Sequence, residues 1–207
     1  MCSMKPICII DYGSGNIQSI VNALNFLGIS SNIISDPKKL SFYDKIILPG
    51  VGSFEYAKKN LDKSFFSNSI IELVNSKNIK LLGICLGMQL LYDYSEEDYG
   101  CKGLGIISGN VSKIKIKKNL RVPNIGWRKV KIKKASSLLS NIKVDPIFYF
   151  VHSYGCENVD KNIVSGVLSY GKNYDVIIET ENIFGTQFHP EKSQTAGLQI
   201  LKNFSDL

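Results

Sequence analysis

The first half of the chain alternates short apolar runs with stretches whose apolar residues recur every three or four positions. Uninterrupted apolar runs at 7–10, 45–48 and 80–84 predict buried strands. Apolar residues at helical spacing follow the first run, and Gly28 is placed to end that helix. The same spacing recurs at 67–76 and 87–94 and in a closing helix at 195–204. Alternation of strand and helix predicts a parallel sheet with helices on both faces.

Farther along, the pattern changes to a period of two, which is typical of half-exposed strands. Apolar and basic residues alternate at 111–116 and 130–134. Further strand-like runs follow at 148–151, 163–168, 175–180 and 183–189. Glu181-Asn182 is the predicted turn between the last two of these runs. No linker-like composition interrupts the chain. The pattern therefore predicts a single α/β domain over residues 1–207 with an antiparallel extension.

Basic charge is confined to one part of the chain. The 207 residues have a net charge of +7, but ten Lys and Arg and no acid lie within 113–134, so the other residues are slightly acidic. This distribution excludes a protein that coats nucleic acid with its whole surface. A binding module limited to the segment is an alternative, but Trp127 is its only aromatic residue and single-strand binders depend on stacking aromatics. We therefore expect no nucleic-acid partner.

Cysteine usage and hydropathy indicate the compartment. The five cysteines are scattered and include no C-x-x-C pair, which argues against a zinc ribbon or a disulfide scaffold. No apolar run reaches the roughly 18 residues of a membrane span. The first residues lack the parts of a signal peptide. We expect a cytoplasmic protein without a membrane partner.

The strongest local signal is G-I-C-L-G at 83–87, where a predicted strand runs into a predicted helix. Small residues on both sides of Cys85 permit a sharp strand-to-helix turn that exposes a nucleophile, as in the G-x-S-x-G motif with sulfur in place of oxygen. A helix N-terminus behind the sulfur favours the thiolate. The alternative is a structural cysteine buried between two packing glycines.

A cysteine nucleophile needs a base and a group that orients the base. The chain has two histidines, and His189 is followed two residues later by Glu191. On an extended backbone these two side chains lie on the same side, so the carboxylate can hold one imidazole nitrogen while the other faces Cys85. A solvated turn beside proline is the alternative for His189. His152 lies in an alternating strand, and we expect it to be a core histidine.

The third element is P-G-V-G at 49–52, directly after a predicted strand. Its glycines let backbone N–H groups approach a ligand closely, so the loop can supply an oxyanion hole; an ordinary turn is the alternative. In this order the three motifs resemble the class I (triad) glutamine amidotransferases over nearly the whole chain. The resemblance implies a flavodoxin-like α/β fold, with a central, mostly parallel sheet flanked by helices and extended by antiparallel strands.

The resemblance also implies a role for each candidate residue. Cys85 attacks the side-chain amide of L-glutamine, His189 transfers protons, and Glu191 orients His189. The residues expected to stabilise the oxyanion or hold the substrate are Gly50, Val51, Gly52, Leu86, Gln89, Ser153 and Tyr154. Glutamine is hydrolysed to glutamate and ammonia, and neither a metal nor a cofactor is implied. A peptidase on a related cysteine-elbow fold is the competing enzyme class.

Longer motifs are similar to one branch of the family, the glutaminase subunits of imidazole glycerol phosphate synthase. They are G-I-C-L-G-M-Q at 83–89, P-N-I-G-W at 123–127, Y-F-V-H-S-Y at 149–154 and F-H-P-E-K-S-Q at 188–194. This similarity implies a heterodimer with a (β/α)8 cyclase subunit. Ammonia is channelled to that subunit for synthesis of imidazole glycerol phosphate and AICAR in histidine biosynthesis. The positions that match the partner interface are Asn124, Trp127, Tyr149 and Lys192.

One motif departs from the usual pattern of that branch. In place of P-H-[apolar]-G-W-N, this chain has Asn124 where the histidine is expected and Arg128 where the asparagine is expected. Both residues lie close to Trp127, so the departure concerns the partner rather than the hydrolysis. The alternative function is a paralogous glutaminase subunit that supplies ammonia for amidination of a surface-polysaccharide sugar. For Trp127 itself, the alternative to docking is a core anchor.

Overall fold

The computed structural model describes residues 5–76, 79–116 and 120–207, and these form fourteen strands and five α-helices. The strands are β1 Ile7–Ile10, β2 Ser31–Ile34, β3 Lys45–Leu48, β4 Lys80–Ile84, β5 Tyr92–Ser95, β6 Cys101–Lys102, β7 Ile107–Lys113, β8 Asn124–Lys129, β9 Lys131–Ile132, β10 Ile147–His152, β11 Tyr154–Asn158, β12 Val164–Tyr170, β13 Lys172–Glu179 and β14 Ile183–Thr186. The helices are α1 Ile17–Phe26, α2 Phe54–Lys63, α3 Phe66–Asn75, α4 Leu86–Leu90 and α5 Gln194–Asp206.

Twelve of these strands form one mixed sheet. Its parallel part has the order β2-β1-β3-β4-β14. Beyond β14 the sheet continues through antiparallel β13 and β11 to β7, β5 and β6. Strand β12 also pairs with β13, and β9 pairs with β12. Strands β8 and β10 form a separate antiparallel ribbon. The predicted α/β fold with an antiparallel extension is confirmed.

Apolar side chains cover both faces of this sheet. In β1, Cys8 and Ile10 belong to one core cluster, whereas Ile7 and Ile9 belong to the other, because successive residues of a strand point to opposite faces. The buried residues of α2 and α3 pack in the first cluster, and those of α1 and α5 in the second. Continuous apolar runs in the parallel strands reflect this burial on both faces.

Most predicted elements are present, and the main error follows the nucleophile motif. The predicted helix at 87–94 is wrong in its second half, because α4 ends at Leu90 and Tyr92 begins β5. The carbonyl of Leu90 accepts the N–H of Leu104 at 2.8 Å, and that of Leu91 accepts the N–H of Ile107 at 2.9 Å. These long-range bonds replace the next helical turn. Helix α2 and the strands β2, β5, β6, β8 and β11 were not predicted.

The strands predicted in the basic segment are displaced or shortened. The strand expected at 111–116 is β7, which begins and ends earlier, and the one expected at 130–134 is the two-residue β9. Residues 117–119 of the basic segment lie outside the described residues. The predicted strand at 183–189 is β14, which ends at Thr186. In the described part of the chain, no helix is long and apolar enough to cross a membrane.

Candidate active site

Cys85 lies at a sharp turn between β4 and α4. Its φ of +54° is in a region that side chains rarely adopt, which makes the turn a strained one. A Cβ atom on Gly87 would lie 1.9 Å from the carbonyl oxygen of Leu48, and one on Gly83 would lie 2.7 Å from the Cα of Met88. Only glycine fits at both positions. The G-x-C-x-G pattern therefore lets α4 turn back directly against β3 and β4.

His189 and Glu191 form a buried pair beside this turn. Nδ1 of His189 is 2.8 Å from Oε1 of Glu191, and the two side chains are 3% and 1% exposed. The contact is made across the 3-10 turn Pro190–Lys192, so the expected pairing occurs but on a turn rather than on an extended strand. Nε2 of His189 is buried without a hydrogen-bond partner, and His189 lines the same cavity as Cys85.

The surroundings of His189 favour its protonated form. Burial opposes the positive charge, but interactions with Cys85 and Glu191 outweigh burial and raise the pKa of His189 to about 10. A charged imidazole next to a sulfur stabilises a thiolate. The arrangement of Cys85, His189 and Glu191 is therefore suited to a thiolate–imidazolium pair.

The backbone of His189 is fastened to the ribbon. Its N–H donates to the carbonyl of Tyr149 at 3.0 Å, and its carbonyl accepts the hydroxyl of Ser193 at 2.6 Å. The same Ser193 oxygen accepts the N–H of Tyr149 at 2.9 Å. Since Ser193 is almost fully buried, these bonds fix the position of the imidazole relative to β10.

A cavity of about 290 Å³ opens in front of these groups. Of the residues predicted to act on glutamine, those in its wall are Val51, Gly52, Cys85, Leu86, Gln89, Ser153, Tyr154 and His189. Two others lie behind the wall. Gly50 packs against α4, where a Cβ atom would be 2.7 Å from the N atom of Gly87, and Glu191 is behind His189.

The loop at 49–52 is held in place by two residues of the loop that follows β1. The hydroxyl of Tyr12 donates to the carbonyl of Pro49 at 2.8 Å, and the hydroxyl of Ser14 donates to the carbonyl of Val51 at 2.7 Å. Gly52 has a φ of +98°, which favours glycine. The carbonyl of Val51 is thus occupied by Ser14 in this arrangement.

Two polar residues in or behind the cavity wall, Glu97 and Gln187, were not predicted from the sequence. Glu97 lies in the cavity wall and accepts the N–H of Phe54 at 3.1 Å, and burial raises the pKa of Glu97. Gln187 accepts the amide of Gln89 at 3.0 Å, and its own amide is 3.9 Å from the sulfur of Cys85. Gln187 precedes the F-H-P-E motif, whereas no local pattern singles out Glu97. Among the described residues, no cluster of three potential metal ligands occurs.

The four predicted interface positions have different surroundings. Trp127 and Tyr149 face each other across the ribbon with ring centroids 5.8 Å apart, and Trp127 is 43% exposed. Lys192 is exposed. Asn124, in contrast, is fully buried, because its side chain points inward from β8 and bonds to His152 and Arg128. Asn124 therefore has no surface to offer a partner, and Trp127 is not a core anchor.

Comparisons with known proteins agree with this geometry. The family model for class-I glutamine amidotransferases matches residues 8–206. A protein of Chlorobium chlorochromatii, named imidazole glycerol phosphate synthase subunit HisH, is 43% identical over 202 residues, which are 97% of this chain and 100% of that protein. A protein of the same name from Methanocaldococcus jannaschii is 45% identical over 201 residues, covering 97% of this chain and 99% of its own.

Solved structures show the same fold at lower identity. One described as a glutamine amidotransferase has a TM-score of 0.76 at 16% identity and covers 98% of both chains. The structure of PurLQS from Thermotoga maritima has a TM-score of 0.73 at 18% identity and covers 98% of this chain and 99% of that one. With residues 8–206 matched by the family model and relatives above 40% identity over 97% of its length, the chain belongs to the class I glutamine amidotransferases.

Proposed function

We propose that this chain hydrolyses L-glutamine through Cys85, His189 and Glu191, as the glutaminase subunit of imidazole glycerol phosphate synthase. The observation that supports the chemistry best is the buried His189–Glu191 pair: Nε2 of His189 has no hydrogen-bond partner, and His189 lines the same cavity as Cys85 at its strained turn. A base that is oriented by a carboxylate beside a cysteine is the arrangement needed for covalent amide hydrolysis.

The reaction begins with attack of the Cys85 thiolate on the carbon of the glutamine side-chain amide. His189 donates its Nε2 proton to the departing nitrogen, which leaves as ammonia, and a glutamyl thioester remains on Cys85. Neutral His189 then takes a proton from water, the resulting hydroxide attacks the thioester, and glutamate leaves. Glu191 keeps the Nδ1 proton of His189 in place throughout, so that Nε2 is the reactive nitrogen.

Negative charge develops on the amide oxygen during both attacks. We propose the N–H of Leu86, the residue after the nucleophile, as one donor to this oxyanion. The second donor comes from the Gly50-Val51-Gly52 loop, after the Val51 carbonyl leaves Ser14 and the peptide turns its N–H toward the cavity. The two donors together replace the water that would otherwise stabilise the charge.

The cavity wall provides groups of the right kind for the amino-acid end of glutamine. Glu97 is a carboxylate that can accept from an α-ammonium group. Gln89, Gly52 and the backbone at Ser153 and Tyr154 surround the rest of the substrate in this proposal.

The ribbon formed by β8 and β10 is the proposed docking face for the cyclase subunit, a (β/α)8 protein. Four apolar side chains of the ribbon are exposed, namely Ile125, Trp127, Ile147 and Val151. Val151 and Pro123 also line the cavity, so the face and the reaction site are continuous. A large aromatic at the centre of an exposed apolar patch is typical of an interface hot spot. Ammonia released at Cys85 would then leave toward the partner.

A second candidate function rests on Asn124 and Arg128. These two residues depart from the usual motif beside the docking face, and they are bonded to each other at 2.9 Å. A paralogous subunit that supplies ammonia for amidination of a surface-polysaccharide sugar is the function that this departure favours. Co-purification with the histidine-pathway cyclase, followed by glutamine-dependent formation of imidazole glycerol phosphate, separates the two candidates.

Substitution of Cys85→Ala tests the chemistry. In the complex, the variant is expected to lose glutamine-dependent synthesis, while synthesis from added ammonium salt continues at the wild-type rate. The matched control is Cys101→Ala, since Cys101 is partly exposed on β6 and lies outside the cavity. Loss of ammonia-dependent synthesis in a complex that still assembles would contradict the proposed channelling.

A further inference from the structure

A chain of hydrogen bonds connects the ribbon with the cavity wall. Nε of Arg128 donates to Oδ1 of Asn124 at 2.9 Å, and Nδ2 of Asn124 is 3.0 Å from Nε2 of His152. Nδ1 of His152 is 2.7 Å from the carbonyl oxygen of Tyr154. Asn124 and His152 are cross-strand neighbours at one end of the ribbon, and both are buried.

The direction of each bond follows from the chemistry of Arg128. A guanidinium can only donate, so Asn124 presents its oxygen to Arg128 and its NH2 group to His152. An NH2 group can only donate, so Nε2 of His152 accepts and the ring proton is on Nδ1, which donates to Tyr154. Burial lowers the pKa of His152 to about 4, although the bond to Tyr154 opposes this, and charge on His189 lowers it further. A neutral ring with one fixed tautomer results.

Arg128 is itself held in place. Its NH1 group donates to the carbonyl of Trp127 and its NH2 group to the carbonyl of Ile125, both at 3.1 Å, and the guanidinium lies 5.4 Å from the ring centroid of Tyr170. These contacts fix the direction in which Nε points. Arg128 on the ribbon therefore determines which atom donates and which accepts in each of these hydrogen bonds.

At the other end, the carbonyl of Tyr154 also accepts the amide of Gln89 at 3.0 Å. The same amide donates to Gln187, whose NH2 group reaches the sulfur of Cys85. The position of this one carbonyl thus depends on His152 and determines where Gln89 lies in the cavity wall.

We propose that Asn124 and Arg128 are positioning residues for glutamine: they impose the Nδ1–H tautomer on His152, which holds the Tyr154 carbonyl and, through it, Gln89. This inference rests on the proposed glutaminase function. It assigns to the two residues that depart from the usual motif a role behind the cavity wall, through His152, in addition to their place beside the docking face.

Glutamine binding to the isolated chain tests the proposal, with Cys85→Ala as the parent so that no turnover occurs. Calorimetry with L-glutamine is expected to give a dissociation constant about tenfold higher when Asn124→Leu is added, because His152 and Arg128 each lose a partner. Asn124→Asp is the near-isosteric second variant. Its control is Lys129→Gln, since Lys129 is on the same strand but points outward to Asp145 at the surface.

The tautomer provides a readout that a merely structural role would not change. With two histidines in the chain, 15N-histidine spectra separate His152 from His189 by comparison with a His189→Asn variant. We expect an Nδ1–H ring at position 152 that does not titrate above about pH 5 in the parent. In Asn124→Asp the carboxylate faces Nε2 and draws a proton there, so the ring either charges near neutral pH or changes tautomer.

A double variant that should restore glutamine binding is the last part of the experiment. Asn124→His combined with Arg128→Asn restores the usual pair of residues and is expected to return the dissociation constant to within twofold of the parent. Asn124→Leu and Asn124→Asp proteins that bind glutamine as tightly as the Lys129→Gln control, or a parent with Nε2–H at His152, would overturn the proposal. A parent that binds no glutamine at all overturns the glutaminase function itself, which is a different result.

Discussion

The turn at Cys85 leads to a sharp prediction for Gly87→Ala. Gly87 is the first glycine after Cys85, and it packs against the end of β3. The added Cβ atom would lie 1.9 Å from the carbonyl oxygen of Leu48 and 2.8 Å from its carbonyl carbon. These are backbone atoms of a buried central strand, so no side-chain rotation can relieve the overlap. The turn itself has to move.

The size of the effect follows from this distance. Cβ contacts shorter than 3.0 Å essentially do not occur, so α4 has to withdraw from β3 by about 1 Å. Overpacking in a core costs typically 1–3 kcal/mol, and here we expect about 3 kcal/mol because both sides are backbone. A displacement of about 1 Å at a reacting group lowers the rate roughly 100-fold. Gly87→Ala should therefore lose both stability and nearly all glutaminase activity.

Two measurements check this prediction. Urea unfolding gives the free energy of unfolding, and glutamate release gives kcat/KM in the presence of the partner. Gly28→Ala is the matched control, since Gly28 follows α1 with a φ of +71° and no atom lies within 4 Å of the added Cβ. The control should lose about 1–2 kcal/mol from backbone strain and keep full activity. If Gly87→Ala is as active as this control, the steric argument for the motif is refuted.

Two further predictions concern the charge of His189 and of the basic segment. Because interactions with Cys85 and Glu191 raise the pKa of His189 to about 10, the imidazole stays charged as the pH rises toward that value. Alkylation of the Cys85 peptide by iodoacetamide at pH 7, followed by mass spectrometry, should be several-fold slower in His189→Ala, because the charged imidazole beside the sulfur is lost; an unchanged rate would contradict this. Charge reversal of exposed lysines should weaken association with the cyclase and reduce its salt dependence; unchanged association would make the segment a solvated sheet face. The positions to reverse are Lys115, Lys131 and Lys133, together with Lys117 outside the described residues.

The elements that could be predicted from the sequence are those that depend only on residues close together in the chain. The runs at 7–10, 45–48 and 80–84 are strands because each is apolar throughout and is buried on both faces. The nucleophile motif belongs to the same group, since Gly83 and Gly87 are needed wherever a helix turns back so closely on its own strand. Steric requirements of this kind are visible in a few neighbouring residues.

The errors have distant causes. Helix α4 ends at Leu90 because residues 104–107 bind its last carbonyls, and no pattern near Leu90 reveals this. Asn124 was expected at the partner interface because its position matches the family motif, but it is buried and its amide is satisfied by Arg128 and His152. Glu97 enters the cavity wall from a short acidic stretch of no special pattern. In each case the partner is far away in sequence.

The two side chains that we propose to react, those of Cys85 and His189, are carried by different parts of the fold. Cys85 is fixed to the central sheet, because its N–H donates to the carbonyl of Thr186 at 2.7 Å and the elbow glycines pack against β3. His189 is fixed to the ribbon, because its N–H donates to Tyr149, whose ring packs edge-on against Trp127 on the outer face. A partner that binds Trp127 therefore acts on the strand that holds His189. Docking can therefore control hydrolysis by changing the distance between the sulfur of Cys85 and the imidazole of His189.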